Sequence, residues 1–120
     1  MRAYVVILMA GSGLGILAFW TFLLVTGNVP ETRAGKRSMR FHIAAELLLA
    51  VLLLGAGIAL LAKAGPLQLV LSGAALGALA YTAVNSPGYY VDLGGRVIVW
   101  MFAVLLVLSG VGIAFVLLLA

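Results

Sequence analysis

Four long apolar runs dominate this chain, and each approaches or exceeds the roughly 20 residues a helix needs to cross a bilayer core. They cover residues 4–26, 41–64, 67–84 and 97–120. Backbone N–H and C=O groups find no water in lipid, so such runs must satisfy them internally as helices, and four spans cannot close a barrel. The expectation is an all-α integral membrane protein, a single domain over residues 1–120, with four transmembrane helices in an up-down bundle. Composition agrees: 66% of residues are hydrophobic and 8% charged, against about 25% charged in a soluble domain. A chain this short has too little interior to hide that much apolar surface from water. The first run exceeds the 7–15-residue core of a cleavable signal and reads as a permanent helix.

The connections differ in charge. "GNVPETRAGKRSMR" holds Arg33, Lys36, Arg37 and Arg40, "KAGP" is a tight turn with Lys63 alone, and "NSPGYYVDLGGR" holds Arg96 after a Pro87–Gly88 turn signal. The first and third connections share a side in an up-down bundle. That side carries five of the seven Lys and Arg residues, so the positive-inside rule places connections 27–40 and 85–96 in the cytoplasm and both termini outside. The net charge of +4 is thereby topological and gives no reason to expect nucleic acid. The expected location is the plasma membrane, with anionic headgroups against the basic first connection.

Absence of cysteine removes disulfides, thiolate metal sites, iron–sulfur clusters and cysteine nucleophiles. Glycine is frequent: "GSGLG", "GAG", "SGAALG" and "SGVG" punctuate the four spans. Small residues let transmembrane backbones approach closely, so these read as packing faces, with Gly73 and Gly77 a GxxxG pair. "GSGLG" follows no strand and is no nucleotide loop. A faint repeat relates "LGAGIA" at residues 54–59 to "SGVGIA" at residues 109–114, which two similarly oriented hairpins or simple low complexity would both produce.

Polar residues gather at one end. His42 and Glu46 open the second span, and Glu46 lies about 7–8 Å inside its apolar boundary at 1.5 Å per residue. An ionisable group at that depth is costly and usually faces the bundle interior or a water-filled cavity. The i, i+4 spacing puts both side chains on one face. In the third span Gly73, Gly77, Tyr81 and Asn85 fall at successive i+4 steps, and packing the two faces brings Tyr81 and Asn85 near Glu46. The candidate binding set is His42, Glu46, Asn85, Tyr81, Tyr89, Arg40 and Arg96. Arg40 and Arg96 stand at the starts of the second and fourth helices, where the dipole favours an anion, so a small anionic ligand is one candidate partner. Glu46 read structurally fixes helix register through a hydrogen bond to Asn85, Tyr81 or Arg40.

His42 and Glu46 make an incomplete metal site, and haem would have to pair His42 with a methionine such as Met39 or Met101. Neither a metal nor a cofactor is expected. Trp20, Tyr89, Tyr90 and Trp100 fit the aromatic belt at the headgroups. No nucleophile–base–orienter set is legible, so enzymatic activity is not favoured. Small multidrug exporters are similar in length and span count, but their essential glutamate lies in the first helix, where this chain has none. Two functions remain: a cytoplasm-facing ligand- or lipid-binding accessory module, and a small transporter or channel subunit using Glu46 as its coupling carboxylate. Glycine stripes left over from one bundle make a homo-oligomer the expected state in both.

Overall fold

The computed structural model describes residues 1–26 and 36–120, and the side chains of all of these except 36–39 and 89–95. It is all-helical: α1 Arg2–Thr26, α2 Lys36–Leu61, α3 Leu67–Asn85 and α4 Pro87–Leu119. All four are long and apolar enough to cross a membrane, the qualifying parts of α2 and α4 being Arg40–Leu61 and Arg96–Leu119.

Two helix starts depart from the sequence expectation by more than two residues, and α2 ends at Leu61 rather than at residue 64. α2 starts at Lys36, five residues before the apolar run, because helical hydrogen bonding continues outward past the residues lipid would select. α4 starts at Pro87, inside what the Pro-Gly signal marked as a connection. Proline at the first helical position gives up only an N–H that had no partner there, and its fixed φ suits a helix. The link between α3 and α4 is thus Ser86 alone, helical itself at φ −66° and ψ −33°, its N–H donating to the Thr82 carbonyl. The α2–α3 turn is tight, and both Lys63 (φ 52°) and Gly65 (φ 60°) turn left-handed to make it. Glycine enters that region without strain and lysine does not. The first connection, residues 27–35, lies outside the described residues.

Neighbouring helices run antiparallel. Gly13 of α1 lies against Ala50 and Leu54 of α2, and Gly112 of α4 against Leu76 of α3 and Leu8 of α1. A Cβ on Gly13 would stand 3.0 Å from Leu54 Cγ and 3.1 Å from the Ala50 carbonyl oxygen. At both glycines, therefore, the missing side chain is what lets helices meet, which is where packing energy arises between apolar helices in lipid. Gly73 and Gly77 do not play that part: no atom lies within 4 Å of where their Cβ atoms would stand. The GxxxG face of α3 turns outward.

Among the described residues the interior has two apolar clusters. One, around Val5, Met9, Leu53, Leu60, Leu76 and Leu79, fills the middle and the end near the N-terminus. The other, around Trp20, Ala83 and Phe102, fills the opposite end. At the N-terminal end Arg2 Nη1 donates to the Leu60 carbonyl at 2.9 Å and to Gln68 Oε1, tying the starts of α1 and α3 to the end of α2. Tyr4 donates its hydroxyl to the Leu108 carbonyl at 2.8 Å and stands edge-on to Phe115, which joins α1 to α4.

Candidate functional site

Glu46 sits six residues after Arg40, one and a half turns into the apolar part of α2, where the helix faces the second apolar cluster. Its side chain is buried, with 6% of the residue exposed. Both carboxyl oxygens accept hydrogen bonds from other elements. Trp20, from α1, donates its indole N–H to Oε2. Ser86, the one-residue link between α3 and α4, donates its hydroxyl to Oε1 at 3.0 Å. His42, one turn earlier on α2, places Nε2 3.4 Å from the same oxygen. The Trp20 and His42 rings meet edge to face, with centroids 6.2 Å apart. Trp20, His42, Glu46 and Ser86 are all buried, so a carboxyl group is enclosed by one indole, one hydroxyl and one imidazole.

Local sequence explains the enclosure. His42 and Glu46 share a helix face by their spacing. Trp20 reaches them because Gly13, seven residues earlier on α1, brings that helix close to α2. Ser86 reaches them because the α3–α4 link is so short that its hydroxyl stays at the core's edge. Ser86 donates to the carboxyl rather than to the imidazole. The three polar groups therefore lack the nucleophile-to-base order that activates a serine. Among the described residues, no buried side-chain nitrogen or oxygen lacks a hydrogen-bond partner, and no three His, Asp or Glu side chains gather as a metal site would require.

The expected neighbours of Glu46 differ from the observed ones. Tyr81 is 71% exposed and Asn85 is exposed; the carboxyl's hydrogen bonds go to Trp20 and Ser86. Adjacent residues on a helix point about 100° apart, so the step from Asn85 to Ser86 turns the side chain from the outer face to the core. Arg40 and Arg96 are both exposed, and the donors to the Glu46 carboxyl are Trp20 and Ser86 rather than Arg40. The side chain of Tyr89 lies outside the described residues. Trp20 was expected in the interfacial belt and is buried instead, while Trp100 is 69% exposed.

Depth was the signal that could have paired Trp20 with Glu46. Trp20 lies six residues, about 9 Å, inside the end of its run, too deep for a headgroup anchor. An indole N–H at that depth needs an acceptor, and Glu46 is the carboxylate at the matching depth on the next helix. Ser86 carried no comparable signal, because a serine beside a proline reads as turn chemistry.

Set beside known proteins, the chain matches along its whole length, residues 1–120, a family described as a domain of unknown function, DUF8058. It belongs to that family. No curated protein and no solved structure matches it.

Proposed function

We propose that this chain is a four-pass module of the plasma membrane, with both termini outside and connections 27–40 and 85–96 in the cytoplasm. Its work there is accessory: it holds a ligand, a lipid or a partner at its cytoplasmic end, as a homo-oligomer. The observation that carries this reading is the closure of Glu46. A coupling carboxylate has to meet water from each side of the membrane in turn, whereas both oxygens of this one are occupied by donors from other elements. Glu46 on this reading locks α1, α2 and the α3–α4 link in register and so shapes the end of the bundle.

Binding then falls to the rim outside the cage. Arg40 precedes Glu46 by six residues, and Arg96 precedes Phe102, which packs with Trp20, by the same number. The two exposed arginines therefore stand at a similar level at one end of the bundle. Their charge suits a phosphate or carboxylate; because α4 starts at Pro87, Arg96 is its tenth residue and not its opening one, so the helix N-terminus adds nothing there.

The runner-up, a transporter or channel subunit, draws on the approach of His42 to Glu46, a pairing able to pass a proton if the cage opens. Proton flux into proteoliposomes separates the two readings. The accessory reading expects no flux above that of Glu46→Gln vesicles, and a Glu46-dependent flux overturns it. Orientation is tested by cysteines at Lys36 and Lys63, which should label from opposite faces, Lys36 from the cytoplasm. Labelling from the same face would remove the topology.

A further inference from the structure

Ser86 is at once the whole link between α3 and α4 and a hydrogen-bond donor to Glu46. The Glu46 carboxyl therefore holds the hinge of one helix pair while Trp20 ties it to α1. Whatever changes the protonation of that carboxyl acts on three elements together. A second seat for a proton lies beside it: His42 Nε2 stands 3.4 Å from Oε1, the oxygen that Ser86 also reaches.

Donors and charges decide what each proton does. The indole N–H only donates, and a carboxylate accepts at both oxygens, whereas a protonated carboxyl turns one oxygen into a donor. With one proton shared between them, Glu46 and the imidazole of His42 carry no net charge, whichever group holds it. With two, the imidazolium and the carboxyl both donate, and both face the donors of Trp20 and Ser86. The cage then encloses a net positive charge, and a buried charge without its counter-charge is strongly unfavourable. Parting of the cage relieves this by letting water reach the pair.

Among the described residues, no other ionisable side chain is buried with the pair. On α1 the ionisable groups are Arg2 and Tyr4, both engaged at the opposite end. Tyr81 on α3, Arg40 on α2 and Arg96 on α4 are exposed. The side chains of Lys36, Arg37, Tyr89, Tyr90 and Asp92 lie outside the described residues, as do Glu31 and Arg33 of the first connection. Asp92, the acidic residue of α4, therefore enters the test.

We infer that His42 and Glu46 form a proton-operated latch. With one shared proton they hold α1, α2 and the α3–α4 link together at the Trp20 end of the bundle, and a second proton releases that end. The latch rests on the reading of Glu46 as the lock of the bundle and adds what opens it.

The test uses the full chain carrying Trp100→Phe, in which Trp20 is the remaining indole, in uncharged maltoside micelles. Acidification runs from about pH 8 to about pH 4, a range that spans free imidazole and carboxyl titration. Trp20 emission should shift to the red in one reversible step, as its N–H exchanges the carboxyl for water. Spin labels on cysteines at Val25 and Val84, exposed positions on α1 and α3, should move apart with the same midpoint. Glu46→Gln and His42→Gln should each abolish the step or move its midpoint by at least about one pH unit, a tenfold change in proton affinity, as interacting groups require. Using both variants guards against one failing to fold. Asp92→Asn should leave the step in place. The latch is overturned by the absence of a step, an irreversible one, or one that neither variant moves. Loss of the step in Asp92→Asn, or a step without label movement, overturns it equally. Proton flux is read separately. A Glu46-dependent flux removes the accessory reading and leaves a measured latch standing, whereas an absent step removes the latch and leaves that reading in place.

Discussion

Trp20 donates its indole N–H to the Glu46 carboxyl across 26 positions of sequence, joining α1 to α2 inside the apolar end of the bundle. Both groups are buried, so neither has water to fall back on, and a hydrogen bond to a potentially charged acceptor is among the stronger kinds. Trp20→Phe keeps most of the ring and removes the donor. It should cost about 1.5–3 kcal/mol, read from thermal or denaturant unfolding in micelles. Trp100→Phe, at an exposed position, should change stability by less than about 0.5 kcal/mol. Equal effects would mean that the indole N–H contributes nothing.

Glu46 separates shape from charge when replaced in two ways. Glutamine keeps the length and one carbonyl oxygen for Trp20, and its amide can donate to Ser86, whose hydroxyl then acts as acceptor. Glu46→Gln should unfold at the same temperature or higher, since removing a buried ionisable group while keeping its hydrogen bonds is often neutral or stabilising. Glu46→Ala removes the acceptor that Glu46 gives Trp20 and opens a cavity, and should cost about 2–4 kcal/mol. An infrared band from the carboxyl group should vanish in both variants. A large loss in Glu46→Gln would show that the charge itself holds the bundle.

The four helices and the inward placement of Glu46 were legible for one reason: each breaks a composition rule strongly. An apolar run the length of a bilayer has few alternatives, and a carboxylate inside one demands an explanation. The partners of Glu46 were less legible, because partnership depends on rotation about a helix axis. A shift of one residue, from Asn85 to Ser86, is invisible to composition and decides which side chain enters the core. Trp20 was misplaced because tryptophan suits both a headgroup belt and a buried donor site, and only depth separates them. The start of α4 was hidden because Ser-Pro-Gly serves equally as a turn or as the opening of a helix. Gly73 and Gly77 show the converse: a packing motif fixes the capacity for close approach, not the side on which anything approaches.

Glycines that look alike in sequence should therefore behave differently. Gly13→Ala would press its Cβ against the Ala50 carbonyl at 3.1 Å, a backbone atom that yields only if α1 and α2 separate. A loss of about 1–3 kcal/mol is expected, the usual range for overpacking. Gly77→Ala meets nothing within 4 Å and should be neutral or stabilising by up to about 1 kcal/mol, since alanine is the better helix former. Unfolding measurements on the two variants check the contrast. Destabilisation by Gly77→Ala, with a change in detergent-solubilised size, would place a second copy on the outer face of α3.

The far end of the bundle offers an independent lock. Arg2 donates from one guanidinium nitrogen to Leu60, in the last turn of α2, and to Gln68, in the first turn of α3. The Leu60 carbonyl lies at the negative end of the α2 dipole, which favours a cation there. Arg2→Leu should cost about 1–3 kcal/mol, as expected when charged hydrogen bonds are lost. Gln68→Leu removes one acceptor and leaves the Leu60 bond, so its cost should be smaller. Because the two residues form one unit, Arg2→Leu with Gln68→Leu should cost less than the sum of the single changes. Arg2→Leu with Trp20→Phe should instead add to within about 0.3–0.5 kcal/mol, the behaviour of distant sites, since these residues sit at opposite ends of α1. A double-mutant cycle in mixed micelles measures both couplings. Full additivity of Arg2 with Gln68 would dissolve the clamp, and strong coupling of Arg2 with Trp20 would mean that the two ends of the bundle respond as one.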